Sequence, residues 1–389
     1  HVKNLAGDEL NTGARGSAVL TNAPTLVDGT TYTVTFNSTD AAGNVATALA
    51  VTGITYDTTV PSINAINVWD LSWGTILNST EDNNNGTVSV TTVGVEDGQT
   101  LTIYIKDNAN TNVAGPYTGS VSSNSATITI EAAGLAGLTN GSSYNLTADV
   151  SDAAGNSATQ IVSSPFIVNT SVPSINAIDT SAMGWGAVLN STEDNTDKTV
   201  TVTTVGVEDG RTVTITLNNA QYTGTVSNNS ASVTISAAGL QNLTDGSSYN
   251  LTADVSDEAG NAATQITSSP FTVDKTAPAF SGVSPSTNTS VNTTAVGYTL
   301  SEAIASGTVT WTRTSGTADG NSPHVQNLAG AELNTGARGS AALTNAPTLV
   351  DGTIYTVTFN GTDTAGNDAT ALAVTGITYD TTAPTFSGI

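Results

Sequence analysis

Residues 141–156 read GSSYNLTADVSDAAGN, a strand-like run followed by a tight turn, and this stretch decides the fold. Apolar and polar residues alternate through 144–150, which is typical of a strand with one buried face. The turn sequence Asp-x-Ala-Gly-Asn then recurs along the chain, at 40–44, 152–156, 257–261 and 363–367. A chain that repeats one turn in this way is an array of similar units.

Longer matches give the length of the units. Residues 1–61 and 324–384 are near-copies, and a second pair of copies shares PSINAI at 61 and 173 and GSSYNLTADVSD at 141 and 246. These matches predict the C-terminal half of a domain at 1–60, whole domains at 61–172, 173–276 and 277–383, and the start of a further repeat at 384–389. We expect the chain to be a piece of a longer periodic protein.

Other alternating runs indicate the fold class. TVSVTT at 87–92, TLTIYI at 100–105 and ATITI at 126–130 are separated by turns rich in Gly, Asn and Asp. Thr, Ser, Asn, Gly, Val and Ala dominate the chain, a composition that disfavours helices and favours strands. The prediction is an all-β chain in which each unit is a sandwich of two antiparallel sheets.

Composition excludes several functions. The formal net charge of -24 argues against nucleic acid as a partner and favours cations. The chain contains no Cys, and no apolar run approaches the roughly 20 residues that a membrane-spanning helix needs. The two histidines, His1 and His324, occupy the same position of two near-copies, and no catalytic constellation surrounds them. We therefore expect no enzymatic activity and no membrane insertion.

The order of motifs resembles the bacterial immunoglobulin-like extender repeats of giant surface adhesins over essentially the whole chain. The motifs are a Glu-Asp-Gly turn, a Tyr-Thr-Gly strand, the Asp-x-Ala-Gly-Asn turn and an Asp-x-Thr-x-Pro junction. The resemblance implies Greek-key domains in an elongated array, secreted to the bacterial cell surface, with neighbouring repeats of the same chain as partners. It also implies that calcium stiffens the interdomain junctions.

The same resemblance implies a set of calcium ligands. The residue at each junction is expected to meet the Asp-x-Ala-Gly-Asn turn of the next domain, where carboxylate and amide oxygens suit calcium. The three expected sets are Asp57 with Asp152 and Asn156, Asn169 with Asp257 and Asn261, and Asp274 with Asp363 and Asn367. Glu96/Asp97 and Glu208/Asp209 are expected at the same ends of the domains as these turns. Glu81/Asp82 and Glu193/Asp194 are expected at the opposite ends, where they could add ligands to the sites at Asn169 and Asp274 respectively.

Two qualifications follow from the residues themselves. Asn169 stands where the other junctions have Asp57, Asp274 and Asp380, which predicts a weaker site. Turn chemistry alone also explains the motif, because Asp and Asn hydrogen-bond their own backbone and Gly supplies positive φ. The two roles are compatible. The first copy at 40–44 lacks an upstream junction within this chain, so we expect it to be the poorest ion site.

Two other functions remain open from the sequence. One is a subunit of an extracellular filament or matrix fibre, in which arrays associate laterally. The other is a carbohydrate-binding region of a secreted enzyme, with surface glycans or another cell as the partner. Trp73 and Trp185 recur in the two copies and would then stack on sugar, although core packing is the favoured interpretation.

Overall fold

The computed structural model describes residues 1–10, 14, 17, 19–21, 23–68 and 71–386. The chain forms two compact units, one comprising His1–Val172 with Ala259–Asn261 and the other Pro173–Glu258 with Ala262–Ile389. Strands make up nearly all of the regular secondary structure in both, which confirms the predicted fold class. Trp69 and the last three residues of the predicted overhang lie outside the described residues.

The first unit begins with a two-stranded antiparallel sheet. A 3-10 turn at Gly7–Leu10 precedes strand β1 (Thr30–Phe36), which pairs with β2 (Leu49–Tyr56). The turn at 40–44 lies between the two strands and is closed by a bridge between Thr39 and Val45. Every residue of β2 is exposed.

The rest of the first unit is a sandwich. Its strands and helix are β3 (Ser62–Asn67), β4 (Ile76–Leu77), β5 (Gly86–Val93), β6 (Thr100–Lys106), β7 (Asn112–Ser120), β8 (Ser125–Ile130), α1 (Ala132–Leu135), β9 (Ser143–Asp149), β10 (Ile161–Val162) and β11 (Phe166–Val168), with a 3-10 turn at Glu81–Asn83. One sheet has the order β3-β5-β8 and the other β4-β11-β9-β6-β7, with β10 paired to β9. The predicted runs at 87–92, 100–105, 126–130 and 144–150 correspond to β5, β6, β8 and β9.

A single apolar core lies between these two sheets. Alternate residues of β5, such as Val88 and Val90, and of β6, such as Leu101 and Ile103, are buried in it. Trp73 lies edge-on to Phe166 at the margin of the core. Its ring also lies against Gly86, where a Cβ atom would fall 1.8 Å from the indole, so β5 must begin with glycine.

The second unit begins with a sandwich of the same kind. Its elements are β12 (Ser174–Asp179), β13 (Val188–Leu189), β14 (Lys198–Val205), β15 (Thr212–Leu217), β16 (Ala220–Thr225), β17 (Ser230–Ile235), α2 (Ala237–Gln241), β18 (Ser248–Tyr249), β19 (Thr252–Asp254), β20 (Ile266–Thr267) and β21 (Phe271–Val273), with 3-10 turns at Ser181–Met183 and Glu193–Asn195. The sheets have the orders β12-β14-β17, β13-β21-β18 and β16-β15-β19-β20. They enclose a second core, to which Trp185 and Phe271 belong.

A third core lies in the remainder of the second unit. Its elements are β22 (Phe280–Ser284), β23 (Ser290–Val291), β24 (Val296–Leu300), β25 (Ile304–Gly316), β26 (His324–Asn327), β27 (Gly336–Ala341), β28 (Thr353–Asp363) and β29 (Leu372–Tyr379), with a 3-10 turn at Gly330–Leu333. The sheets are β22-β24-β27 and β23-β29-β28-β25-β26. Trp311, Tyr355 and Phe359 are fully buried between them.

Two features were not predicted. The short helices α1 and α2 each follow a core strand, and each packs against the 3-10 turn that carries an acidic pair. The two-residue strands β4, β13 and β23 pair in parallel with β11, β21 and β29, although the rest of the ladders are antiparallel. These parallel pairs place the loop after each two-residue strand beside the chain segment that leaves the sandwich.

Candidate metal centre

The turn at 363–367 is held by its own aspartate and asparagine. The Asn367 N–H donates to Asp363 Oδ1 (2.8 Å) and the Asn367 amide Nδ2 donates to Asp363 Oδ2 (2.9 Å). Gly366 has a φ of 94°, which favours glycine at this position. Residues close together in sequence therefore build this turn without help from other segments.

Asn367 also attaches the turn to two other loops of the second unit. Its Nδ2 donates to the main-chain carbonyl of Asp274 (2.9 Å), and its Oδ1 accepts from the Ser191 N–H (2.9 Å) and hydroxyl (2.7 Å). The Asn190 side chain completes the attachment by donating to the Ala365 carbonyl (2.9 Å). We call this arrangement the asparagine clip.

Three carboxylates meet beside the clip. Asp274 follows β21, Glu302 lies between β24 and β25, and Asp363 ends β28. One oxygen atom from each lies within 4.8 Å of the others, and they form the one such group of three acidic or His side chains among the described residues. We call these three residues the carboxylate cluster.

The cluster is electrostatically unfavourable without a counter-charge. Burial raises the pKa of Asp274, and the nearby Asp363 carboxylate raises it further. The pKa of Glu302 is raised by burial and then by Asp274 and Asp363. Both shifts mean that the surroundings oppose a second and third negative charge.

The donor set fits calcium. Carboxylate oxygens are the hard ligands that calcium prefers, and ligands at about 2.3–2.6 Å from one ion can lie as far apart as these oxygens do. The Asp245 carboxylate lies nearby and raises the pKa of both Asp274 and Glu302, but it accepts hydrogen bonds from the Lys275 N–H and the Thr276 hydroxyl. The carboxylate cluster could therefore supply three ligands, with water completing the shell.

The first unit contains a related junction with different electrostatics. Asn156 Nδ2 donates to the Asp57 carbonyl (3.1 Å) and to Asp152 Oδ2 (2.8 Å), as in the asparagine clip. Glu96 Oε2 accepts from the Ala153 N–H (2.8 Å), so it lies beside the same turn. Burial acts to raise the pKa of Asp152, but hydrogen bonds from the Asn156 side chain and backbone outweigh it and the pKa is lowered. This carboxylate is stabilised as an anion by the protein itself.

The predicted set around Asn169 includes the turn at 257–261. Within the first unit, Asn261 Nδ2 donates to the Asn169 carbonyl (2.9 Å), and Asn261 Oδ1 accepts from the Ser79 N–H (2.8 Å). Asp257, in the second unit, is 1% exposed. In all three turns the asparagine amide donates to a main-chain carbonyl of the junction residue. Their role as metal ligands stays a prediction.

Most of the acidic pairs make local hydrogen bonds. Glu81 and Glu193 accept from the N–H groups of Asn78 and Asn190, while Asp97 and Asp209 accept from Ser123 and Asn228 in the following hairpin. Glu208 accepts from the Glu258 N–H, as Glu96 does in its own turn. Asp82 accepts from the Asn83 side chain, and Asp194 forms an ion pair with Lys275.

Glu302 was missed by the sequence analysis. It lies in the sequence TLSEAIASG, without the Glu-Asp-Gly motif that marked Glu96 and Glu208. Its signal was position, since it lies two residues after the core strand that ends in the buried Leu300, much as Glu96 lies shortly after the end of β5. Aligning the units by strand rather than by motif would have found it.

The tryptophans belong to the cores. Trp73 and Trp185 are 5% and 7% exposed, and Trp311 is fully buried and donates from its indole N–H to Gln326 Oε1 (3.2 Å). The sequence favoured core packing for Trp73 and Trp185, and the structure confirms it. None of these three rings offers a face for stacking on sugar.

Fold and site together define a tandem β-sandwich protein with acidic junctions. Residues 274–382 match the family model of the bacterial Ig-like domain. A bacterial immunoglobulin-like domain from the M. primoryensis ice-binding adhesin is 31% identical, with 26% of this chain and 96% of that one covered and a TM-score of 0.20. The chain belongs to the bacterial immunoglobulin-like domain family.

Two longer solved structures are also similar. A Ca2+-stabilized adhesin that helps an Antarctic bacterium reach out and bind ice is 24% identical, covering 90% of this chain and 82% of its own, with a TM-score of 0.42. A structure from a 1.5-MDa bacterial ice-binding adhesin is 21% identical, covering 83% and 100%, with a TM-score of 0.34. None of the curated proteins matches the chain. In the part of the chain that the structure describes, no helix is long and apolar enough to cross a membrane.

Proposed function

We propose that the chain is a non-enzymatic extender segment of a bacterial cell-surface adhesin, with one domain at each of 61–172, 173–276 and 277–383. Calcium bound by Asp274, Glu302 and Asp363 joins the last two of these domains. The observation that carries the proposal is the carboxylate cluster, in which a residue after β21 meets two residues that flank the next core. The partners of each domain are the neighbouring repeats of the same chain.

The mechanism is mechanical. The asparagine clip already holds the junction by hydrogen bonds, but three carboxylates beside it repel one another. A divalent cation reverses that repulsion and adds bonds to both sides of the junction. Because the ion binds only when both sides are in place, it stabilises the assembled junction by mass action. Calcium therefore changes the junction from a hinge into a rigid connection.

Two considerations support a cell-surface setting. Similar solved structures come from adhesins, one of them described as stabilised by Ca2+. The chain's acidity and lack of cysteine are compatible with an extracellular milieu rich in calcium. Such a segment holds an adhesive region away from the cell, and its stiffness depends on the supply of cation.

A calcium titration of the full chain tests the proposal. We expect calorimetry to detect calcium binding that raises the melting temperature of the second unit, and small-angle scattering to detect a narrower range of lengths with calcium than with chelator. Glu302→Gln and Asp363→Asn should remove most of this response. The matched controls are Asp40→Asn and Asp380→Asn, which change the same motif positions at places where the described residues form no group of three carboxylates.

Either of two results would overturn the proposal. One is an unchanged melt and unchanged length across millimolar calcium. The other is a calcium response that survives both Glu302→Gln and Asp363→Asn.

A further inference from the structure

Lys275 places a cation inside the second unit. Its ammonium Nζ lies 3.1 Å from the Leu240 carbonyl oxygen, 2.9 Å from that of Gln241 and 3.1 Å from that of Leu243. The fourth neighbour is Asp194 Oδ2, at 3.0 Å. Three carbonyls from the end of helix α2 and the residues just after it, and one carboxylate from a 3-10 turn, thus surround a single positive charge.

The same framework occurs in the first unit without the lysine. The equivalent oxygens are those of Leu135, Ala136 and Leu138, at the end of helix α1, and of Asp82 in the 3-10 turn. The position of Lys275 is taken by Thr170, whose side chain is too short to reach them. Among the described residues, Asp82 makes no ion pair, and its Oδ1 accepts a hydrogen bond from the Asn83 side-chain amide (2.6 Å).

Matching hydrogen bonds place the two frameworks in the same way. Leu138 N donates to the Leu135 carbonyl (3.0 Å) as Leu243 N does to that of Leu240 (3.1 Å). Thr170 N donates to Asn140 Oδ1 (2.8 Å) as Lys275 N does to Asp245 Oδ1 (2.6 Å).

The acidic turns also correspond. Asp82 N donates to the Asn78 carbonyl (3.1 Å), and Asp194 N to that of Asn190 (3.2 Å). Each helix packs against its own 3-10 turn. The difference between the two frameworks is therefore the side chain at 170 or 275, rather than the backbone that presents the oxygens.

We propose that the oxygens of Asp82, Leu135, Ala136 and Leu138 form a binding site for a monovalent cation of ammonium size, such as potassium. In the second unit the tethered ammonium of Lys275 occupies the equivalent position. Carbonyl oxygens replace the hydration shell of potassium in other proteins. The oxygens around Lys275 Nζ lie at 2.9–3.1 Å. Equivalent oxygens with a single carboxylate among them suit a large monovalent ion better than calcium, which needs contacts of about 2.3–2.6 Å.

The site is separate from the carboxylate cluster and goes beyond the proposed function. It lies inside one sandwich, at a helix end, and uses none of Asp274, Glu302 or Asp363. Its effect is local, since it would fix helix α1 to the 3-10 turn at Glu81–Asn83. An Asp363→Asn chain, which should no longer respond to calcium, should still bind potassium at this site.

Hydrogen–deuterium exchange of the full chain in potassium chloride or choline chloride, at equal ionic strength and with chelator, tests the site. Potassium at tenfold its dissociation constant should slow exchange of the amides at 136–138 by roughly tenfold, as linkage requires. The equivalent amides at 241–243 should exchange alike in both salts, because Lys275 is already in place.

Three variants sharpen the test. Asp82→Asn should remove the potassium effect, whereas Asp107→Asn, at a remote hairpin tip, should leave it unchanged. Thr170→Lys should slow exchange of the amides at 136–138 equally in both salts. Lys275→Thr should make exchange of the amides at 241–243 depend on potassium.

Equal exchange of 136–138 in the two salts in the wild-type chain would overturn the proposal. A potassium effect that persists in Asp82→Asn would do so as well, and protection by calcium but not by potassium would contradict the assignment to a monovalent ion.

Discussion

The near-copies 1–60 and 324–383 have almost the same sequence and very different surroundings. Both form an antiparallel strand pair, β1 with β2 and β28 with β29. Phe36 is 54% exposed, whereas its counterpart Phe359 is fully buried, because β22 to β25 supply the rest of the sandwich around the second copy. Local sequence is therefore enough to form the strand pair, while burial depends on the segment that packs against it.

The polar turns of the two copies differ in the same way. Asn44 Nδ2 donates to Asp40 Oδ2 (2.8 Å), as Asn367 Nδ2 does to Asp363 Oδ2 (2.9 Å). Asp40 and Asn44 are nonetheless exposed, while Asp363 and Asn367 are 3% and 0% exposed. Hydrogen bonds from the Asn44 side chain and backbone lower the pKa of Asp40. The Asp-x-Ala-Gly-Asn turn therefore forms in both copies. Among the described residues of the two copies, the asparagine clip forms only at 363–367, where the turn adjoins a junction.

The largest expected contrast is in the apolar cores. Phe359→Ala should destabilise the second unit by about 3–5 kcal/mol, because it leaves a cavity among fully buried neighbours. The matched Phe36→Ala should cost about 1 kcal/mol or less, since the side chain is already half in water. Chemical denaturation of the full chain, with exchange at 353–363 as the local readout, measures both. Equal losses would mean that the apolar face of 1–60 is covered in solution.

A smaller contrast is expected between the two asparagines. Asn367→Ala removes the clip and leaves the part-buried Ser191 N–H and Asp363 Oδ2 without their Asn367 side-chain partner, which should cost about 2–4 kcal/mol. Asn44→Ala breaks an exposed bond within one turn and should cost about 0.5 kcal/mol. Hydrogen–deuterium exchange of the amides near 191 and 274, which lie outside the turn, reports loss of the junction separately from loss of the turn at 363–367. If Asn44→Ala cost as much as Asn367→Ala, the turn and not the clip would be the stabilising element.

The smallest expected effect is the pH dependence of the stability of the junction, measured with chelator present so that no calcium is bound. The folded-state pKa values of Asp274 and Glu302 are raised, so the folded junction binds protons more tightly than the unfolded chain does. Stability should be gained as pH falls through the window between the ordinary carboxylate pKa and the raised values, and lost as pH rises through it. Glu302→Gln should reduce this dependence, and calcium should reduce it too. A junction whose melting rises with pH across that window would contradict the assignment.

The fold was largely predictable because its signals are local. Alternation along 100–105 and 126–130 predicted β6 and β8, and glycine at position 366 of the turn follows from its positive φ. The site was less predictable because it depends on contacts between distant residues. Neither the ion pair of Asp194 with Lys275 nor the approach of Glu302 to Asp363 follows from spacing along the chain.

The asparagine clip has a consequence for how such arrays can diversify. In each turn that meets a junction, the asparagine amide donates to a main-chain carbonyl, that of Asp57, Asn169 or Asp274. Every amino acid carries that carbonyl, so the clip does not require a particular side chain at the junction. Repeats can therefore be duplicated, lost or recombined without compensating substitutions in their neighbours, while the junction side chain remains free to vary between aspartate and asparagine.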